Sequence, residues 1–226
     1  MQQRVGWALL WLGFVVYAFF LAPADDLAAT GELIRRLVQG DIAGINPWIV
    51  AEFNLMGVLP LAYTSLLLVD GHRQKALGQK VPAWPFALLM MGVGAFALLP
   101  YLMLRRPLQG QEGIPPLNSY LRVWTSRWVG WGLLVTSLGL LGFAGWRGDW
   151  ADFWQQWQTS RFIHVMTLDF CLLTSVLPFL VNEDRVGRAA LPPLGIGMIN
   201  SLPLLGALGY LCLRPAPLPE VLQPPD

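Results

Sequence analysis

Apolar residues in this chain run together instead of alternating or marking one helical face. They fill six stretches, 5–22, 47–69, 84–104, 128–146, 162–182 and 192–213, separated by short polar segments. A helix needs about 17–25 such residues to cross a bilayer core about 30 Å thick, so the pattern predicts six transmembrane helices. Helical periodicity proper appears in the segments between them. DDLAATGELIRRLVQG places Leu33, Ile34, Leu37 and Val38 on one face and pairs Glu32 with Arg36 at i,i+4 on the other. DWADFWQQWQ does the same with Phe153, Trp154 and Trp157. Segments of this kind lie flat in the membrane interface, and SYLRVWTSRW reads as a further one.

The order span, amphipathic piece, span, basic loop, span occurs twice. RVGWALLWLGFVV at 4–16 matches RWVGWGLLVTSLGLL at 127–141, and because this match lies mid-chain the first run is read as a retained span and not as a signal peptide. In the second run Glu52 stands beside Phe53 and a VLP ends at Pro60; about 117 residues later Asp169 stands beside Phe170 and a VLP ends at Pro178. The third and sixth runs finish in LPYLMLRRP and LGYLCLRP, each with a Tyr and an Arg in the position of interfacial anchors. The chain thus divides into a first repeat (1–105), a linker (106–127), a second repeat (128–214) and a proline-rich tail (215–226) expected to be disordered. Three spans per repeat is an odd number, so the second copy would enter the membrane from the opposite side. The expected fold is all-α and polytopic, six transmembrane helices as two inverted three-helix repeats. On that topology seven of the basic residues fall on one side and eight on the other, which sets no orientation.

Composition agrees with a membrane protein: 55% hydrophobic, 13% charged and a mean hydropathy of +0.50. A net charge of +1 without a basic cluster argues against nucleic acid as a partner. The partners expected are the lipid bilayer and a membrane protein or a second copy of the chain. The membrane is a bacterial inner membrane by default, or a thylakoid if the source is photosynthetic.

Glu52 and Asp169 are the first candidates for chemistry, because an ionisable group at the centre of a span costs roughly 2.5–3.5 kcal/mol or more and is retained for pairing or function. The structural alternative is a carboxylate bonded to a neighbouring helix. Asn54, Thr167 and Asn200 are buried polar candidates for interhelical hydrogen bonds of about 0.6–2 kcal/mol. His164 reads as a snorkelling interfacial histidine, with a pigment or haem ligand or a proton relay as the alternative. Gly139, Gly142 and Gly145 form a small-residue face suited to close helix packing. No metal-ligand spacing, nucleophile motif or phosphate loop is present, and no cofactor is indicated. Three function classes follow: a non-enzymatic protein that scaffolds, assists assembly or binds lipid or pigment; a small transporter or channel with a site between the repeats; and a membrane enzyme acting on lipid or isoprenoid.

Each half also resembles a small three-span bacterial membrane protein family known as a domain of unknown function. The residues that carry the resemblance are ELIRRLVQG, the early acid in WIVAEFNLMG, the Trp opening the third run at Trp84 and the ending FALLPYLMLR. The second half departs from it with Leu191-Pro192 in place of that Trp and Gly209 in place of Pro100. The resemblance implies a tandem duplication, with Glu52 and Asp169 at the family's acidic position, and no assigned activity.

Overall fold

The computed structural model describes residues 2–24, 26–106, 114–186, 188, 197 and 201–216. Its elements are α1 (Gln2–Val16), which continues through a π-helical turn (Tyr17–Leu21), α2 (Leu27–Gln39), α3 (Pro47–Ala76), α4 (Trp84–Val93), α5 (Ala95–Leu104), α6 (Ser119–Trp124), α7 (Arg127–Arg147), α8 (Trp150–Thr159), α9 (Arg161–Val186) and α10 (Pro203–Leu213). The described residues form no strand. Local chemistry sets the helix starts: Asp26 and Asp149 cap α2 and α8 through two backbone N–H groups each, and Asn46 caps α3 ahead of a proline at its first position. Gly40 ends α2 at φ 74°.

Among the described residues, four helical stretches are long and apolar enough to cross a membrane: Gln2–Leu21, Pro47–Ala76, Ser119–Arg147 and Arg161–Val186. Large apolar side chains cover the outward faces of the first and third, among them Leu9, Leu12, Phe20, Trp128, Val135 and Trp146. An apolar exterior on this scale is compatible with membrane insertion. The core lies along α3, whose Leu55, Leu59, Tyr63 and Leu67 pack against Leu98 and Leu99 of α5 and Leu173 and Leu177 of α9.

Two topological expectations are corrected. The stretch 84–104 is not one span but a hairpin of two short helices. Ala83, at the start of α4, lies against Gly71, while Tyr101 and Arg105, at the end of α5, bond Asp70, so both outer ends meet the same part of α3. The rings of Phe86 and Tyr101, fifteen residues apart, pack with their centroids 5.4 Å apart. Each arm of ten residues rises about 15 Å, half of a bilayer core.

The two halves also do not run antiparallel, as the expected inverted relation between them requires. Thr167 bonds Glu52, Tyr63 bonds the carbonyl of Leu173 and Arg73 bonds the carbonyl of Glu183, so α3 and α9 run parallel along their whole length. Helices related by an in-plane two-fold axis would run antiparallel. Because 84–104 folds back on itself, the residues before and after it lie at the same end of the bundle. Of the expected run 192–213, only residue 197 and 201–213 are among the described residues.

Helix lengths differ from expectation at one end. DGHRQKA and NEDRV were expected as loops but extend α3 and α9, because their polar residues point inward: Asp70, Arg73, Gln74 and Asp184 are buried. This end of the bundle, where α3, α5, α9 and α10 finish and α1 and α7 begin, is the basal end. Of the 15 Lys and Arg residues, Arg35, Arg36, Arg147 and Arg161 lie at the opposite end and the other eleven at the basal end. The even split of charge expected above belonged to the six-span topology and goes with it.

Candidate functional site at the hairpin tip

The α4–α5 turn is the element that builds a site. Gly94 sits at φ 51°, ψ −127°, a conformation open to glycine. A Cβ there would stand 1.9 Å from Oδ2 of Asp169. The carboxylate reaches across from α9, and its Oδ1 accepts the backbone N–H of Ala95 at 2.8 Å. Asp169 therefore caps the N-terminus of α5 from another helix, where the helix dipole favours an anion. The sequence signal was the pair Gly92 and Gly94 in the middle of an apolar run, which marks a break as readily as a packing contact.

Beside the tip opens a cavity of about 860 Å³. Its wall is largely apolar: Phe19 of the π-helical turn, Phe53 and Met56 of α3, Met90 and Phe96 of the hairpin, and Val165 and Met166 of α9. The polar lining is sparse. Asp169 and the turn residues Met91 to Gly94 contribute at the hairpin tip, and Thr30 and Arg161 complete the lining. Arg161 donates through Nε to the carbonyl of Pro23 and precedes Asp169 by eight residues, about 12 Å along α9.

The other sequence candidates separate. Glu52 is buried but does not line this cavity; its Oε2 stands 3.1 Å from the Thr167 hydroxyl, and its Oε1 has no partner among the described residues. The same hydroxyl lies 2.8 Å from the Ile163 carbonyl, so one proton faces two acceptors. Glu52 and Asp169 thus share no cavity. Asn54 is exposed and bonds the carbonyl of Val50 on its own helix, contrary to the interhelical role expected of it. Asn200 lies outside the described residues.

His164 is buried, which corrects its reading as a snorkelling side chain. Its Nδ1 donates to the Trp157 carbonyl at 2.9 Å, since a carbonyl only accepts, and Nε2 then accepts from the Tyr17 hydroxyl at 2.9 Å. With Trp157 stacked at 4.1 Å, no ring nitrogen is left for a cofactor.

Sequence reasoning missed a second polar constellation. Asp70 accepts from Tyr101 at 2.5 Å and Arg105 at 2.9 Å; Asp184 accepts from Tyr210 at 2.6 Å, Arg214 at 2.7 Å and Arg188 at 2.8 Å. Arg105 also bonds Glu183. These tyrosines and arginines, expected as interfacial anchors, are instead 0–4% exposed. The recurring Tyr-x-x-x-Arg after an acid in each half was the signal, and it places the two clusters together at the basal end. The glycine face of α7 is likewise reversed: Gly139, Gly142 and Gly145 have open space around them, while Gly130 and Gly148 make the close approaches, to α10 and to Trp48.

No protein-family model matches the chain, and neither a curated protein nor a solved structure matches it. The function therefore has to be argued from the geometry.

Proposed function

We propose that this is a four-span integral membrane protein of non-enzymatic type, with a re-entrant helical hairpin, that binds a lipid-like molecule in the cavity beside the hairpin tip. The observation that supports this reading is the cavity: about 860 Å³, walled largely by methionine, aromatic and aliphatic side chains, with few polar residues in its lining. Flexible thioethers adapt to ligands of variable shape, and apolar walls with a few placed polar groups are the usual form of a small-molecule site. Arg161 and Thr30 sit at the interfacial level beside α2, where the head of an amphiphile would be, and the apolar wall runs inward from them.

The test is mass spectrometry of small molecules that co-purify with the full chain in mild detergent. Gly57 lines the cavity and has open space around it, so Gly57→Trp fills the site without a core clash; it is expected to reduce retention of the bound lipid at least tenfold, while Gly139→Trp on the outer face of α7 leaves it unchanged. Equal retention in both variants, or no retained molecule in the wild type, rejects the reading.

A second reading, a small transporter or channel, is favoured by the hairpin itself. Non-helical backbone at membrane depth is tolerated where it lines a cavity, and broken helices beside a buried carboxylate build ion and substrate sites in transporters. Flux through proteoliposomes that Asp169→Asn abolishes would support it.

A further inference from the structure

We propose that the hairpin tip is a binding site for a monovalent cation, with the Asp169 carboxylate and the last carbonyls of α4 as its oxygen ligands. The inference uses the hairpin-tip part of the cavity and is independent of which molecule fills the apolar part.

Three observations converge on it. Asp169 is 6% exposed, and only one of its oxygens is occupied: Oδ1 takes the Ala95 N–H, whereas Oδ2 has no partner among the described residues on a carboxylate that lines the cavity. The break at Gly94 also leaves α4 with carbonyls to satisfy. In a continuous helix the Ala95 N–H would bond Met91; here it is turned to Asp169, and Met91, Gly92 and Val93 end the helix on the same cavity wall. The C-terminus of a helix carries partial negative charge, so two negative features face one space. Finally, Arg161, about 12 Å away along α9, is the cation among the lining residues, and it is engaged with Pro23.

The N-terminus of α5 engages Oδ1 of Asp169, and the remaining oxygen together with the last carbonyls of α4 offers a cation its ligands. One carboxylate with backbone carbonyls suits a single positive charge. The described residues hold no group of three His, Cys, Asp or Glu side chains of the kind that binds a divalent or transition metal. Sodium and a ligand's primary ammonium group offer the same chemistry to these oxygens.

The experiment is thermal unfolding of the purified full chain in mild detergent, titrated with NaCl, KCl, methylammonium chloride or MgCl₂ at ionic strength held constant with N-methylglucamine chloride. A saturable rise in Tm with Na⁺, K⁺ or methylammonium is expected. The Na⁺ and methylammonium arms separate an inorganic ion from an ammonium head. Asp169→Asn keeps an oxygen for the Ala95 N–H and removes the charge, so it is expected to weaken the saturating response at least tenfold, while the surface variant Glu32→Gln leaves it intact. A response confined to MgCl₂, or one unchanged in Asp169→Asn, overturns the site. If Asp169→Asn fails to fold, the wild type alone decides: absence of a cation-specific shift overturns the proposal. Lipid retention is measured separately, so failure of the cation site leaves the cavity reading standing, and the reverse.

Discussion

At the scale of single residues, Gly94 and Asp169 are fixed by one another. A side chain at 94 meets a carboxylate oxygen at 1.9 Å and a backbone conformation costing of order 1–3 kcal/mol for a residue other than glycine. Gly94→Ala is therefore expected to lower unfolding stability by at least about 2 kcal/mol, read from denaturant unfolding in detergent. In the basal clusters the outcome depends on which partner is removed. Asp184→Ala strands Arg188 and Arg214, both buried, and is expected to destabilise by about 3–5 kcal/mol. Tyr210→Phe deletes one hydrogen bond and is expected to cost about 1–2 kcal/mol. Equal losses in the two variants would show that charge compensation does not dominate this cluster.

At the scale of elements, the hairpin decides the topology. It places 80 and 106 at the same end, because Gln79 bonds the carbonyl of Leu104 and Gln74 that of Arg106; a continuous span over 84–104 would put them on opposite sides. In a background lacking Cys171 and Cys212, Lys80→Cys and Arg106→Cys are expected to react with an impermeant thiol reagent from one side of sealed vesicles, and Asp41→Cys from the other. Labelling of the first two from opposite sides would restore the six-span topology. The extension of α3 past residue 69 follows from the same contacts, since buried partners for Asp70 and Arg73 replace the solvation a loop would have given. The amphipathic segments form helices as expected, with one change: Glu32 pairs with Arg35 and Arg36 with Asp41, so the i,i+4 pair expected on α2 is not made.

For the whole molecule, the proposed four-span topology changes what the charges say. Eleven basic residues at the basal end against four at the other is the asymmetry that orients membrane proteins with the basic end in the cytoplasm. The acids are distributed differently: Asp26, Glu32, Asp41, Asp149 and Asp152 are exposed at the opposite end, while the basal Asp70 and Asp184 are buried in ion pairs. Both the start of α1 and the end of α10 are accordingly expected on the cytoplasmic side. A reporter fused after residue 216 that is active only outside the cytoplasm should be silent; activity there would reverse the orientation.

By itself the sequence determined the all-helical class, the apolar runs that become the four long helices, the amphipathic α2 and α8, and the carboxylates of Glu52 and Asp169 within apolar helices. These follow from local periodicity and run length, which any segment carries alone. Whether 84–104 crosses or turns back was decided by tertiary structure, because an apolar run satisfies the hydropathy pattern either way and only the packing of Phe86 on Tyr101 and the reach of Asp169 to Ala95 select the hairpin. The parallel course of α3 and α9, the burial of the Tyr and Arg pairs and the separation of Glu52 from the cavity depend in the same way on contacts between residues distant in the chain. Sequence spacing does not record them.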